Sequence, residues 1–186
     1  MINETENKKI SKFLSFVLRH KPESIGLKLD ENGWAETKEL LEKMNGNAFE
    51  VTGEMLNHIV ATNNKQRFSF NENKTKIRAS QGHSIDVDLN LKETKPPEYL
   101  YHGTGEKYVT SILTTGLEKR NRQQVHLSTD METAIKVGQR HGKPKVFIVE
   151  SEKMNFEGFS FYLSDNAVWL TDHVPARYLQ LIEKLK

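Results

Sequence analysis

Arg19-His20 and Arg67 in the first half of the chain, with Arg122 in the second, are the cationic side chains whose local setting could bring them to a ligand. A guanidinium offers planar, charge-assisted donors that match phosphoryl oxygens in pairs. Arg19-His20 ends an apolar periodic run just before Lys21-Pro22, which places the pair on the last turn of a helix. Cations are favoured there by the helix dipole, so capping of carbonyls is the plainer use for them. Arg67 alternates with Ser69 while Phe68 and Phe70 face the other way, so it lies on a polar face from which it can reach a ligand. Arg122 falls in a loop before a strand, where an arginine is ordinarily solvated.

A second group is neutral. His102-Gly103-Thr104 ends a strand and starts a turn toward a helix. Backbone amides at such a turn can bind a phosphate or a carboxamide, and glycine permits close approach. In Gln124-Val125-His126-Leu127-Ser128 the alternation sets Gln124, His126 and Ser128 opposite Val125 and Leu127. Such a row lines a cleft or forms a plain solvent face. The chain has no G-x-x-x-x-G-K-[ST] loop, no G-x-G-x-x-G, no H-E-x-x-H, no nucleophile elbow and no cysteine. The expectation is therefore metal-free chemistry without disulfides or cysteine nucleophiles.

The elements that carry these groups follow from periodicity. Ile10, Phe13, Leu14, Val17 and Leu18 make one apolar stripe of a helix over 8–20, stopped by Pro22. Leu27 and Leu29, a turn at Asp30–Gly33 and Trp34 read as a short hairpin. Thr37 reads as the N-cap of a helix with Leu40, Leu41 and Met44, and Thr52 as that of a helix with Met55, Leu56, Ile59 and Val60. Residues 66–79 read as a second hairpin turning at Asn71–Lys74. The polar stretch Asp86–Pro97 ends in Pro96-Pro97, a stiff spacer, and sets a boundary between 1–95 and 96–186. Beyond it come a strand at Tyr99–His102, a helix at Glu106–Thr114 closed by Gly116, a strand at Val125–Ser128 and a helix at Met131–Arg140 started by Asp130. Val146–Glu150, Phe159–Tyr162 and Ala167–Thr171 are further strands. The fold class is α+β.

Composition sets the limits. At 186 residues the chain holds one ordinary domain or two small ones. It is 36% hydrophobic and 28% charged, with a mean hydropathy of −0.65. No apolar run approaches the ~20 residues of a membrane helix, and MINETENKKI lacks the layout of a secretory signal. A cytoplasmic monomer is expected. The formal net charge is only +2, and neither half carries a large basic excess, so any nucleic acid must be held by a local cluster of cations.

Read together, the segments Leu14–Pro22, Gly33-Trp34, Lys65–Phe68, Ile77–Ser84, Leu100–Thr104, Val125–Ser128 and Val168–Thr171 resemble the RNA 2′-phosphotransferase family, the tRNA-splicing type and its bacterial relatives. The resemblance runs from about Ser11 to Ile182. It implies an N-terminal winged-helix lobe that binds RNA and a C-terminal lobe like NAD-dependent ADP-ribosyltransferases. It further implies transfer of an internal RNA 2′-phosphate, as in tRNA-like substrates, to NAD through an ADP-ribosylated phosphate. On this resemblance Arg19, His20, Arg67 and Arg122 are the catalytic set. His102, Gly103, Thr104, His126 and Ser128 hold NAD, and no metal is needed. Arg78, Gln81, Gly82 and His83 match a family motif at the lobe junction, where they hold RNA or fix the lobes. Ala167 stands where the family usually has glycine, Glu150-Ser151 where it has Asp-Ala, and Ala176 where it has proline. Two other readings remain at this point: an ADP-ribosyltransferase that stops after the first step, and a winged-helix nucleic-acid binder whose second lobe is inert.

Overall fold

The structure, a computed structural model, describes residues 3–47 and 49–183. They divide into two compact units, one ending at Asn90 and one beginning at Leu91. Both mix helix and sheet. The segment 91–97 is bonded into the second unit: Glu93 bridges to Tyr162, the Thr94 amide donates to the Phe161 carbonyl, and Ser151 Oγ donates to the Pro97 carbonyl at 2.7 Å. Among the described residues no helix is long and apolar enough to cross a membrane.

In the first unit, helix α1 (Glu4–Arg19) buries Ile10, Leu14, Val17 and Leu18. It starts four residues before the position the apolar stripe gave, because Asn3 Oδ1 accepts the Glu6 amide at 2.8 Å and acidic Glu4 and Glu6 sit in the first turn. A 3-10 turn at Pro22–Ile25 follows. The Asp30 turn forms, with Asp30 Oδ1 accepting the Asn32 and Trp34 amides at 3.1 and 2.9 Å. The expected strand at Leu27–Leu29 does not form. Instead strand β1 (Ala35–Glu36) pairs antiparallel with the later hairpin, Ala35 opposite Ile77.

Helix α2 (Thr37–Asn45) is not capped by Thr37, whose hydroxyl donates to the Lys74 carbonyl at 3.0 Å; Glu36 takes the cap position. Helix α3 (Gly53–Ala61) is capped as expected, Thr52 Oγ1 accepting the Met55 amide at 3.2 Å. Strands β2 (Phe68–Phe70) and β3 (Lys76–Ala79) make the second hairpin, in the sheet order β1-β3-β2. Leu14, Leu18, Leu40, Met44, Leu56, Ile59 and Ile77 are fully buried between the helices and this sheet. Each such side chain contributes about 1.5–3 kcal/mol on burial.

The second unit is built on strand β4 (Leu100–Gly105), followed by helix α4 (Val109–Thr115) and strand β5 (Leu117–Glu118). Strand β6 (Val125–Leu127), helix α5 (Met131–Gly138), strand β7 (Pro144–Val149) and helix α6 (Ser151–Phe156) come next. Strands β8 (Tyr162–Leu163), β9 (Trp169–Thr171), β10 (His173–Val174) and β11 (Leu179–Ile182) complete it. The sheets run β11-β7-β4, β6-β9-β8 and β10-β5, every pair antiparallel. A bridge between Tyr101 and Ser128 ties the first to the second. Leu100, Phe147, Val149, Phe161 and Tyr178 fill the core.

Further details of the second unit bear on the sequence reading. His102-Gly103-Thr104 lies inside β4 rather than at its end, because the ladder to β7 continues to Gly105 opposite Pro144. Helix α5 stops at Gly138, where a 3-10 turn over Gln139–His141 takes over. At Ala167 the backbone is left-handed, φ 58°, which is a glycine conformation. An alanine there costs about 1–2 kcal/mol, and the loop is held by Ser164, whose Oγ accepts the Val168 amide at 3.0 Å.

Candidate functional site

Each unit gathers its own share of the expected residues. In the first, half-buried Arg19 is the last residue of α1 and exposed His20 its C-cap. Half-buried Arg67 precedes β2, and its carbonyl accepts from Arg19 Nη2 at 3.4 Å. The segment after β3 fastens both. The Ser80 amide donates to the Arg67 carbonyl and Ser80 Oγ to the Gln66 carbonyl at 2.8 Å. The Ser84 amide donates to the Arg19 carbonyl, and Ser84 Oγ lies 2.9 Å from His20 Nδ1. Arg78 stacks on the Trp34 ring at 4.5 Å and donates to the Leu89 carbonyl at 3.3 Å. Gln81 and Gly82 lie in the loop that follows, Gly82 with a left-handed φ of 86°.

His83 sits at the centre of these cations with 1% of its surface exposed, and neither ring nitrogen has a hydrogen-bond partner among the described residues. Burial first, then Arg19 and His20 from α1 and Arg78 from β3, lower its pKa to about 4. The folded value is therefore below the unfolded one. The unfolded chain takes up a proton near pH 6.5 that the folded protein refuses until about pH 4. Stability from this residue is full above pH 6.5, and roughly 3 kcal/mol is lost as pH falls through that window. Thermal melts of the protein and of His83→Gln between pH 7 and 4 test this. The variant is expected to lose part of the slope, and equal slopes would remove His83 as its source.

In the second unit two of the expected dinucleotide residues, His102 and His126, and the expected catalytic arginine form one hydrogen-bonded chain. Arg122, which can only donate, gives a short hydrogen bond to His126 Nδ1, so neutral His126 carries its proton on Nε2. The His126 carbonyl accepts from His102 Nδ1 at 3.1 Å, which leaves His102 Nε2 as an acceptor. Burial pushes the His102 pKa down, the His126 carbonyl opposes that, and His141 and Arg122 add to the fall. Desolvation and then Arg140 draw the Arg122 guanidinium below its ordinary value, although the residue as a whole is exposed.

Around this chain lies a patch that sequence reasoning missed. Lys107 and Arg120 stand over the Tyr108 ring at 5.0 and 5.2 Å, and His141 meets the same ring edge-on. Among the described residues Lys107, Arg120, Arg122 and Arg140 have no carboxylate partner; Glu106 is committed to Lys143 at 2.9 Å and Lys145 at 3.6 Å. No sequence signal marks the patch, because its members come from three separate segments: 3-10 turns at Glu106–Tyr108 and Gln139–His141 and the loop that carries Arg120 and Arg122. Thr104 is buried in β4, and Ser128 exchanges backbone hydrogen bonds with Tyr101.

A groove of about 520 Å³ in the second unit, lined by Lys95, Glu98, Tyr99, Glu150, Lys153 and Phe156 among others, holds none of these residues. Its lysines are neutralised, Lys95 by Glu152 at 2.8 Å and Lys153 by Glu150 at 3.2 Å, so it does not suit an anion.

Arginine and histidine sets carried on two α+β units have the donor chemistry that suits phosphoryl oxygens. The comparisons with known proteins are specific. Residues 5–173 match the profile of the RNA 2′-phosphotransferase, Tpt1 / KptA family. A probable RNA 2′-phosphotransferase of Flavobacterium johnsoniae is 59% identical over 179 residues, covering 96% of this chain and 98% of the relative. Proteins of the same description from Fusobacterium nucleatum and Agrobacterium fabrum are 55% and 52% identical, covering 92% and 91% of this chain and 97% and 91% of their own length. The chain belongs to the RNA 2′-phosphotransferase family and is a transferase of that family.

Proposed function

We propose that this protein removes an internal 2′-phosphate from RNA, tRNA-like in kind, by transferring it to NAD. The observation that carries the reading is the second unit's hydrogen-bonded chain, Arg122 to His126 and His102 to His126. It joins an arginine suited to phosphoryl oxygens to two of the residues assigned to the dinucleotide, His126 and His102. The cations around Tyr108 suit the dinucleotide's diphosphate, two negative charges that no nearby carboxylate competes for. The order α1, β1, α2, α3, β2, β3 supports a winged-helix reading of the first unit. The sheet-rich second unit is read as ADP-ribosyltransferase-like.

In the proposed reaction Arg19 and Arg67 grip the 2′-phosphate, which is already a dianionic nucleophile and needs orientation more than a base. Its oxygen bonds to the anomeric carbon of the nicotinamide riboside, and the glycosidic bond to nicotinamide breaks. The 2″-hydroxyl then attacks the phosphorus and the bond from phosphorus to the RNA 2′-oxygen breaks. The products are 2′-hydroxyl RNA and ADP-ribose 1″,2″-cyclic phosphate. The proton lost by the 2″-hydroxyl balances the one gained by the RNA oxygen, which His20 donates. Arg122 and His20 stabilise the phosphoryl oxygens as charge concentrates on them.

The test is a product assay with NAD and a 2′-phosphorylated RNA. Free nicotinamide, dephosphorylated RNA and the cyclic phosphate in equal amounts are expected. A lasting RNA–ADP-ribose adduct would assign a transferase that stops after one step, and RNA binding without nicotinamide release would assign a binding module.

A further inference from the structure

We propose that Ser84 is a positioning residue for His20, fixing the imidazole so that its far nitrogen faces the phosphoryl group. The proposal rests on the reading of His20 given above. Two bonds support it. The Ser84 amide donates to the Arg19 carbonyl, which anchors the serine to the end of α1, and its Oγ lies 2.9 Å from His20 Nδ1. His20 is the helix C-cap, with φ −128° and ψ −46°, so it lies outside the regular helix and its exposed ring gains little orientation from core packing.

A hydroxyl suits this place for an electrostatic reason. When His20 is charged, Nδ1–H donates to Ser84 Oγ and the proton on Nε2 is the one available to the departing 2′-oxygen. Once that proton has gone, Nδ1–H still donates to the serine. The ring therefore remains in the tautomer whose Nε2 is the nitrogen that takes up a proton from solvent before the next turnover. A carboxylate in the same place would orient the ring equally well, but it would set a negative charge beside a site built from Arg19 and Arg67 to hold a dianion. The serine orients without that charge.

The test uses the full-length protein with NAD and 2′-phosphorylated RNA, comparing Ser84→Ala and Ser84→Thr. Ser84→Ala is expected to slow the second step on the order of 10-fold, part of what a positioned acid supplies. KM for RNA should be unchanged, and adduct should accumulate transiently. Ser84→Thr, which keeps the hydroxyl, should restore the rate. Both side chains are exposed, so the melting temperature should move by no more than ~2 °C. In a nitrogen-15 spectrum the His20 Nδ1 resonance should lose its hydrogen-bonded shift in Ser84→Ala alone. Unchanged kinetics in Ser84→Ala, or a loss that threonine does not restore, overturns the proposal. If the wild-type protein fails to consume NAD, the proposed function has failed instead, and the Nδ1 resonance still decides whether Ser84 holds the ring.

Discussion

Replacing Arg122 by alanine is expected to stop the proposed reaction part-way, slowing the second step at least ~100-fold, the scale on which a lost oxyanion donor is felt. The first step needs only a held nucleophile and an expelled nicotinamide, so single-turnover measurements should show nicotinamide released and RNA–ADP-ribose accumulating. The structure supports this weighting. Arg122 has no carboxylate partner among the described residues, and the nearby Arg140 repels it, so no acidic neighbour cancels the charge that the proposed step uses. Its hydrogen bond is to a neutral acceptor, His126 Nδ1, which aims the guanidinium without cancelling it. Arg122→Lys should recover only part of the rate, because an ammonium cannot present two parallel donors. Since Arg122→Ala also frees His126 Nδ1, His126→Ala and the double variant complete a cycle that separates the two effects. Unchanged turnover in Arg122→Ala removes the residue from the mechanism.

How far such a site can be read from sequence depends on where its contacts come from. The C-cap place of Arg19-His20 was legible, because Pro22 and the apolar stripe fix the end of α1 to within a residue. The second hairpin was legible for the same local reason, its alternation bracketed by a polar turn. Elements held by partners distant in the chain were not. The two-residue strand β1 exists because Ala35 finds Ile77, and β11 because Leu179–Ile182 pairs along β7. Neither segment alternates strongly enough to announce itself. Thr37 misled because its hydroxyl satisfies a carbonyl at Lys74 instead of its own helix. Ser84 belonged to a recognisable run, yet only three-dimensional proximity to His20 shows what its side chain touches. The departure at Ala167 was legible as a missing glycine, and its left-handed backbone supplies the reason a glycine is favoured.

Gly103→Ala should be the most damaging single methyl group in the second unit. An ideally placed Cβ on Gly103 would lie 1.7 Å from the carbonyl oxygen of Ala134 and 2.5 Å from its carbon, against the 3.0 Å that real Cβ atoms keep. Those atoms are backbone of α5, so no side chain can rotate aside; the helix itself must lift off β4 by more than about 1 Å, at an overpacking cost above the usual ~1–3 kcal/mol. The seam continues along the strand. A Cβ on Gly105 would meet the His141 carbonyl oxygen at 2.4 Å, and one on Gly138 the Thr104 carbonyl oxygen at 2.8 Å. Alanine variants should therefore lose stability in the order Gly103, Gly105, Gly138, with the first lowering the melting temperature on the order of 10 °C. The direction of the clash also bears on function. Side chains alternate along β4, so the face of Gly103 that touches α5 is opposite the one bearing His102 and Thr104. Any contact of Gly103 with a ligand must then be made by its backbone, while its missing side chain serves the helix. A Gly103→Ala variant that melts with the wild type would show that α5 does not sit on β4 as closely as the structure places it.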